Sequence, residues 1–574
     1  MSSHTSHGPR RRRYLAAWLV LLLLICFGFQ LSDKTQDVKN LVFQLAFGLA
    51  LLGISIWTVR SSGLPRRWRW SLALVPWLAL IGWLSQFELV NNGDIGVVGW
   101  QWRWSPKADQ LLSMPKVSGS RQSNGDGTEP SEADAWQPAA TDYPCFLGGG
   151  YWAEVQGVHL QTDWQAKPPQ LVWRSKIGAG WSGFAVRGRF AITQEQRGEN
   201  EMVVCYRVDA GNPEGEVVWS HVDRVRFAPG GAGGLGFVGP RATPAIAGQY
   251  VVSQGATGIV NCLDLRTGRR RWTHNTLSET GTKNVMWGKS GSPLVVDDRV
   301  VISVGGAKGQ SLVAYNLKTG KVAWSAGSRR SAYASPVLAE LAGERQILVV
   351  NEDYLTAHRA VDGRVLWEYP WPGNSDSNAS CSQPVPLPGD RIFLSKGYGI
   401  GSTLIQVQRD KESHFTAQPL WSPAIKPVMK TKMGNVLVRD GYVYGLDGVA
   451  LECLELETGK RRWKRRRRPD FGHGQIMLVG DVLLILTEQG QVVLAEVSPK
   501  HYRELASMRV FDKEQITWNN PALSSPYLLV RNSEEVACYR LPLVQYLETV
   551  QDGEPTTLNP QLHQARSPAT SLRE

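Results

Sequence analysis

Residues that commonly bind metals or form disulfides are scarce in this chain. Its 574 residues include only seven cysteines, none of them adjacent to another, and ten scattered histidines. Seven unpatterned cysteines do not make a disulfide framework, and the His and Cys spacing of a zinc site is absent. The sequence also lacks the Gly-x-Ser-x-Gly hydrolase elbow and the glycine-rich phosphate loop. The sequence therefore predicts no metal site, and none of these motifs identifies a catalytic centre in it.

Long apolar runs free of charge are absent after the first ninety residues. Residues 14–31 and 41–59 have nearly the length that a helix needs to span a bilayer, and residues 70–90 form a third run around an apolar centre. A cleaved signal peptide is the alternative for the first run, but no small-x-small cleavage site follows it. The sequence predicts a membrane anchor of three helices over residues 14–90.

Basic residues predict the orientation of this anchor. Four arginines end the basic segment 1–13 before the first run, and four more lie between the second and third runs. The connection after the first run has two lysines offset by two aspartates. Because basic loops remain in the cytoplasm, we expect everything after residue 90 to lie outside it. This predicts a multi-pass protein of the cytoplasmic (inner) membrane, with its large domain on the periplasmic side.

Composition divides the remainder of the chain. Residues 91–104 carry alternating tryptophans and predict a strand-like juxtamembrane segment. Residues 105–142 are rich in Ser, Gly, Asp, Glu and Pro, which predicts a disordered linker, and residues 546–574 predict a flexible tail. Residues 143–545 remain as the folded domain.

A short phrase recurs through this domain. Each copy alternates apolar and polar residues, turns at a glycine and resumes as a strand that ends in Trp. Glycine supplies the positive φ of a tight turn, and a hairpin repeated at intervals of roughly forty to fifty-five residues is typical of β-propeller blades. The five copies occupy residues 205–219, 262–272, 314–324, 357–367 and 453–463.

A second phrase, in which small residues open an apolar run, gives the number of blades. It predicts eight innermost strands and hence an eight-bladed, all-β propeller; a sandwich of eight strands with chance similarities is the alternative. The last blade, near residues 527–541, lacks its Trp strand, and residues 171–173 would supply it and close the ring without a free edge. The eight copies begin at residues 180, 241, 290, 333, 381, 433, 473 and 518.

The pattern Leu-Asp-x-x-Thr-Gly-x-x-x-Trp, best matched at residues 263–272, resembles the pyrroloquinoline-quinone (PQQ) repeat family from about residue 145 to 542. That family includes quinoprotein alcohol dehydrogenases and BamB-like, non-catalytic lipoproteins of the β-barrel assembly machine. With its apolar runs and acidic linker, the chain looks like the envelope-anchored members abundant in planctomycete-type bacteria. The resemblance implies that the repeated Trp docks one blade on the next. These docking residues are Trp173, Trp219, Trp272, Trp324, Trp367, Trp421 and Trp463.

The same resemblance raises the question of a cofactor. Similar dehydrogenases need a catalytic Asp, a calcium shell of Glu, Asn and Asp, and commonly two adjacent cysteines over the quinone. This chain has no Cys-Cys pair, and Asp264, Asp362 and Glu455 of the repeats fall at outer turns. We therefore expect neither PQQ nor calcium, and a dehydrogenase remains the alternative.

Aligning the eight innermost strands predicts two candidate surfaces, because alternate residues share one face of a strand. An inner polar ring comprises Thr243, Ser292, Ser335, Gln383, Asn435, Gln475 and Asn520, with Gly183 at the eighth position. Such residues often only bond one another and trapped water. Two residues earlier lies a channel rim whose aromatic and basic members are typical binding anchors. Its candidate binding residues are Trp181, Arg241, Tyr333, His473 and Trp518.

A basic run crosses the outer hairpin of the sixth blade, and it includes Arg465, Arg466, Arg467 and Arg468. Nucleic acid would suit its charge but not the predicted location, whereas anionic lipid, an envelope polymer or an acidic protein suits both. A solvated basic loop is the alternative.

These features predict a membrane-anchored, extracytoplasmic scaffold that binds other envelope proteins or an anionic envelope polymer. One alternative is a PQQ-dependent dehydrogenase that feeds electrons to the membrane. Another is a sensor whose spans transmit ligand occupancy, but the sequence shows no cytoplasmic output domain for it.

Overall fold

The structure is a computed structural model. The predicted tail at residues 546–574 and residues 118–133 of the predicted linker lie outside the described residues. The described ranges are 8–30, 36–61, 65–91, 97–102, 104–117, 134–150, 152–228, 238–376, 378–421, 427–511 and 515–544.

Three helices begin the chain: α1 (Gly8–Gln30), α2 (Gln36–Ser61) and α3 (Arg66–Leu84). Among the described residues, one segment, Val42–Arg60 in α2, is long and apolar enough to cross a bilayer, and Tyr14–Gly28 is a shorter apolar helix. The bilayer sets this length, because each residue of a helix adds 1.5 Å.

The third helix ends earlier than predicted. We expected it to reach residue 90, but α3 stops at Leu84, and the Ser85 hydroxyl donates to the Gly82 carbonyl oxygen at 2.7 Å. The chain then forms β1 (Phe87–Asn91), which pairs antiparallel with β2 (Val97–Trp102). Polar residues after Leu84 can satisfy the helix terminus, which favours a stop there.

The remaining strands form the predicted eight-bladed propeller, built from antiparallel sheets around one axis. The first strands of several neighbouring blades contact one another, which places them innermost. Before the blades come β3 (Glu154–Val155) and β4 (Gln170–Lys176). Blade 1 consists of β5 (Ala185–Arg187), β6 (Phe190–Arg197), β7 (Asn200–Arg207) and β8 (Val217–Asp223), and blade 2 consists of β9 (Ala245–Ala247), β10 (Tyr250–Gln254), β11 (Ile259–Asp264) and β12 (Arg270–Asn275). A short helix, α4 (Thr276–Thr280), follows blade 2. Blade 3 consists of β13 (Leu294–Val296), β14 (Arg299–Gly306), β15 (Gln310–Asn316) and β16 (Val322–Ala326), and blade 4 consists of β17 (Val337–Leu341), β18 (Glu344–Val350), β19 (Tyr354–Arg359) and β20 (Val365–Pro370).

The other four blades repeat this arrangement. Blade 5 consists of β21 (Val385–Leu387), β22 (Arg391–Lys396), β23 (Gly401–Arg409) and β24 (Phe415–Trp421), and blade 6 consists of β25 (Val436–Arg439), β26 (Tyr442–Asp447), β27 (Ala450–Glu455) and β28 (Arg461–Arg465). Blade 7 consists of β29 (Gln475–Val479), β30 (Val482–Leu486), β31 (Gln491–Glu496) and β32 (Glu504–Arg509). Blade 8 contains β33 (Ala522–Ser524), β34 (Tyr527–Arg531) and β35 (Glu535–Arg540).

Ring closure follows the prediction. Strand β4 pairs antiparallel with β35, with Trp173 opposite Cys538, so that an early strand completes blade 8. A second contact lies beside it, where the backbone of Leu160 bridges that of Leu543. Both ends of the propeller sequence therefore meet in one sheet, in which β4 is the outermost strand and covers the outer edge of β35.

The repeated glycine and Trp meet between blades. The Trp272 indole covers the turn of the next blade at Gly320, where an added Cβ would lie 2.7 Å from the ring. Gly320 also has a φ of +71°, which favours glycine. Gly215 and Trp173 repeat this arrangement, as do Gly459 and Trp421. Since the Trp of one blade needs a glycine in the next, a single contact explains both residues of the phrase.

Most docking tryptophans also bond the blade that they contact. Their indole N–H groups donate to backbone carbonyl oxygens of the following blade at 2.8–3.0 Å in five cases, from Trp173 to Val208, Trp219 to Leu265, Trp272 to Leu317, Trp421 to Leu456 and Trp463 to Ser498. The other two differ. Trp367 donates to Gln346 within its own blade, and Trp324 is buried with no hydrogen bond to its indole nitrogen among the described residues.

Two stretches of the predicted linker pack against blade 1. A 3₁₀ turn, Ala108–Leu111, contacts β6, and its Asp109 is buried. Trp136 stacks on Phe190 with ring centroids 3.6 Å apart. Composition alone predicted disorder here, but a few apolar and acidic residues with matching partners on the propeller order both stretches.

Candidate functional site

The rim and inner-ring positions lie where the chain enters the first strand of each blade. The inner-ring residues of blades 1 to 7 are buried and Asn520 is half-buried, whereas the rim positions are half-buried except for Tyr333, which is buried. The rim therefore surrounds the mouth of the axial channel, on what we call the rim face.

The inner ring joins blades to one another. From blade 1 to blade 6, each inner-ring backbone N–H donates to the inner-ring side-chain oxygen of the next blade. These bonds run from Gly183 to Thr243 (3.1 Å), Thr243 to Ser292 (2.9 Å), Ser292 to Ser335 (2.9 Å), Ser335 to Gln383 (2.7 Å) and Gln383 to Asn435 (2.8 Å).

Two amides complete this ring. The Gln475 side chain of blade 7 donates to the carbonyl oxygens of Met433, which precedes blade 6, and Trp518, which precedes blade 8. Asn519, beside the predicted Asn520, donates to the carbonyl oxygen of Ser182 at 2.9 Å. Sequence alignment missed Asn519 because it lies one position out of register. The acceptors of the inner ring are thus largely used in blade-to-blade bonds.

The opposite end of the channel is covered by the segment that we call the plug, residues 143–150 and 152–155. Tyr143 pairs with Val186 of blade 1, and the Pro144 carbonyl oxygen accepts from the Ile246 N–H of blade 2. The plug then crosses the axis, and β3 pairs parallel with β29 of blade 7. The plug therefore closes the channel at the end that we call the plug face.

A small cavity separates the plug from the inner ring. It is lined by Phe146 and Leu147 together with Ser292, Ser335 and Gln383, and it measures about 10 Å³. That is room for about one water molecule. A tricyclic quinone does not fit at this level of the axis, and the described residues hold no cluster of three His, Cys, Asp or Glu that could bind a metal ion. Between the plug and the inner ring, the described residues therefore leave no space for PQQ.

Aromatic residues gather on the rim where blade 8 meets blade 1. Trp181 and Trp518 lie with ring centroids 5.1 Å apart, and the Trp518 indole donates to Glu488 at 3.1 Å. The same carboxylate accepts from the His473 backbone N–H at 2.9 Å. Glu488, which the sequence alignment missed, therefore orients two predicted rim residues.

The other predicted rim residues lie on blades 2 and 4. The Arg241 guanidinium lies over the Phe227 ring, 4.9 Å from its centroid. Tyr333 packs against Trp287 with centroids 5.4 Å apart. Burial lowers the pKa of Arg241 to about 10, so this group remains charged at neutral pH. The predicted residues thus form two separate groups around the mouth, not one cluster.

Several rim-face residues escaped sequence analysis because they lie in connections of variable length. Lys432 lies over the Tyr398 ring, 4.9 Å from its centroid. In blade 3, buried Lys289 donates to the Val304 carbonyl oxygen at 2.6 Å and to the Ser331 hydroxyl at 2.8 Å. Burial lowers the pKa of Lys289 to about 8. No repeat pattern marks these positions. Aromatic and basic residues just before an innermost strand are the sequence signal that could identify rim-face residues.

The basic run of blade 6 is divided by its contacts. Arg467 forms a two-bond pair with Glu504 at 2.9 and 3.0 Å, and its side chain is only 11% exposed. Lys464 pairs with buried Asp447 at 2.9 Å. Arg465, Arg466 and Arg468 are exposed. Only part of the predicted basic patch therefore faces solvent.

Comparison with known proteins gives a family. A family model described as outer membrane protein assembly factor BamB, of PQQ-type repeats, matches residues 120–305 and 207–465. Outer membrane protein assembly factor BamB of Moranella endobia (strain PCIT) is 23% identical over 44% of this chain and 63% of its own length. That of Burkholderia pseudomallei (strain K96243) is 25% identical over 43% of this chain and 59% of its own length. The chain thus matches less than two thirds of either relative.

Solved structures share the fold. The quinohemoprotein alcohol dehydrogenase ADHIIG from Pseudomonas putida HK5 gives a TM-score of 0.50 at 13% identity, over 75% of this chain and 83% of that one. BamB from Moraxella catarrhalis gives 0.44 at 13% identity, over 65% and 97%. At 13% identity the likeness to the dehydrogenase shows the propeller fold alone.

Proposed function

Because the chain belongs to the PQQ-type β-propeller family described as outer membrane protein assembly factor BamB, we propose that it is a non-catalytic binding and scaffold module. The observation that carries this proposal is the rim, where half-buried aromatic and basic side chains surround the mouth of a channel that the plug closes at its other end. Aromatic residues and arginine are the usual anchors of protein interfaces.

The partner is another protein of the cell envelope. The relatives are named as assembly factors of outer membrane proteins, and a rim ringed by aromatics suits a protruding protein loop. An anionic envelope polymer is the second candidate, which the exposed Arg465, Arg466 and Arg468 favour.

The same proposal includes membrane anchoring. Helix α2 contains the apolar segment Val42–Arg60, and α1 and α3 flank it. The arginines before α1 and between α2 and α3 favour a cytoplasmic N-terminus and an extracytoplasmic propeller. The module is then an inner-membrane, multi-pass protein of the envelope-anchored kind seen in planctomycete-type bacteria, with residues 14–90 as anchor and 143–545 as propeller. Reporter fusions after Arg69 and after Ser105 are expected to report cytoplasmic and exported locations, respectively.

Affinity capture from detergent-solubilised membranes tests the scaffold role. The full chain with Trp181→Ala and Trp518→Ala is expected to lose most of a partner that the wild-type chain retains. The matched control is Trp152→Ala, because Trp152 is 37% exposed beside the plug, on the other face. Equal capture by both variants would contradict the rim as the binding surface. Stoichiometric PQQ binding with dye reduction would contradict the scaffold role itself.

A further inference from the structure

We propose that the rim face of the propeller is turned toward the bilayer, so that the mouth of the channel receives a partner that lies in or emerges from the membrane. This inference rests on the proposed membrane anchoring. It comes from how residues 104–117, which we call the juxtamembrane latch, connect the helices to blade 1.

The latch is fixed to the rim side of blade 1. The Gly198 N–H donates to the Asp109 carbonyl oxygen at 3.1 Å, and Gly198 forms the turn between β6 and β7. Beside this turn, the backbone of Gln196 bridges that of Ala179, two residues before Trp181 of the rim. Strand β6 starts at the plug face and ends here, so this attachment lies at the mouth of the channel.

Buried charge holds the latch in place. Asp109 pairs with Arg226 at 2.6 Å, and their side chains are only 3% and 14% exposed. Arg197 donates to the Ser113 carbonyl oxygen at 2.7 Å. Removing one partner of a buried pair leaves an uncompensated charge, so the propeller strongly favours the docked latch.

The latch also touches the rim through Arg226. The next residue, Phe227, is buried and lies under the Arg241 guanidinium. An added Cβ on Gly288 would lie 2.9 Å from the Phe227 ring, so this ring also packs against the blade 2–3 connection. The segment that leaves the membrane region therefore supports one of the rim anchors directly.

The other end of the latch stays close to the membrane helices. The Trp104 indole donates to the Gln86 side chain at 3.1 Å, two residues after α3 ends. Trp102 packs edge-on against Phe87 at 5.1 Å. From Trp104 to Asp109 is five residues, which span at most about 18 Å. The rim face cannot therefore lie far from the end of α3.

Exposed apolar side chains on this short path fit the bilayer interface. Trp83, Trp104 and Leu111 are 56%, 70% and 71% exposed, and Met114 is 45% exposed. Tryptophan concentrates at the membrane–water boundary, where its ring is apolar and its N–H remains hydrated. A lipid surface would cover these side chains, which otherwise lie exposed to water.

Energy transfer from two positions in blade 3 tests this orientation. Lys308 lies in the turn between β14 and β15 on the rim face, and Lys318 lies in the turn after β15 on the plug face; both are exposed. Single cysteines, Lys308→Cys or Lys318→Cys, are introduced into the full chain with Cys26→Ser and Cys381→Ser. After reconstitution into liposomes with headgroup-labelled acceptor lipids, an impermeant maleimide donor marks only outward-facing propellers.

We expect transfer from position 308 to exceed that from position 318 roughly twofold, because the seven residues of β15 separate the two faces by about 23 Å. Asp109→Asn, which removes the latch charge but keeps its size, is expected to reduce this difference. Equal transfer at both positions, higher transfer at 318, or a difference unchanged by Asp109→Asn would contradict the proposal. Failure of the full chain to float with liposomes would overturn the anchoring and the orientation together.

Discussion

Residues of one type in one short run have different roles in this protein. Between Lys460 and Arg468, Arg461, Lys464 and Arg467 pair with acidic residues. Arg465 and Arg466 are exposed. Arg467 donates to both Glu504 oxygens and to Gln491, whereas Arg466 is exposed. A sequence shows the charge of such a run but not which members are already paired.

This division predicts unequal effects of charge reversal. Arg467→Glu places a second carboxylate against Glu504 in a half-buried position, and it is expected to lower the free energy of unfolding by about 2–4 kcal/mol. Arg466→Glu is expected to change it by less than about 0.5 kcal/mol. Urea unfolding followed by Trp fluorescence measures both. Similar losses in the two variants would show that Arg467 is as solvated as its neighbour.

Glu201 predicts a pH dependence of stability. Burial, with a smaller contribution from Asp223, raises the pKa of Glu201 to about 7 against the opposing effects of the Ala256 N–H and Arg241. The native state then keeps a proton that the unfolded chain releases near pH 4.5, so the free energy of unfolding falls as pH rises through this window. Glu201→Gln is expected to remove roughly 1–3 kcal/mol of that fall. Unfolding at pH 5 and pH 8 measures it, with exposed Glu199→Gln as control; identical pH profiles for Glu201→Gln and the wild type would contradict the prediction.

At the scale of elements, the repeat predicted blades because one local contact recurs in each. Because the Trp of one blade packs on a glycine of the next, each copy of the phrase keeps one glycine and one Trp, four residues apart. Closure by residues 171–173 followed from the copy missing in blade 8. The end of α3 and the ordered parts of the linker were not predictable from composition. They depend on partners distant in sequence, such as Asp109 with Arg226 and Trp136 with Phe190. For the same reason Glu488 and Lys432 of the rim face were missed.

Two glycines of blade 3 separate backbone conformation from this inter-blade contact. Gly320 and Gly309 have φ values of +71° and +70°, but a Cβ on Gly320 would lie 2.7 Å from Trp272, whereas Gly309 has open space. Gly309→Ala is expected to cost about 1 kcal/mol from φ alone. Gly320→Ala is expected to cost about 1–3 kcal/mol more from overpacking. Thermal unfolding measures the difference, and in a Trp272→Ala background Gly320→Ala is expected to cost little more than Gly309→Ala does. Equal costs at the two glycines would mean that the indole moves aside freely.

At the scale of the whole molecule, stability depends on a residue that precedes the first blade. Trp173 is fully buried, its strand β4 completes blade 8, and its indole donates to the Val208 carbonyl oxygen of blade 1 at 2.8 Å. Losing the indole removes the contact that docks blade 8 on blade 1, at the junction where the ring closes.

Trp173→Ala is therefore expected to cost about 3–5 kcal/mol, as much as Trp272→Ala within the series of blades. Because the ring closes on itself, both variants are expected to unfold in one transition when fluorescence and circular dichroism are compared in guanidinium. Trp152→Ala, at an exposed position beside the plug, is the control and is expected to be nearly neutral. If Trp173→Ala instead separates an early transition of blade 8 from unfolding of the rest, the propeller behaves as a linear stack of blades that ring closure does not couple.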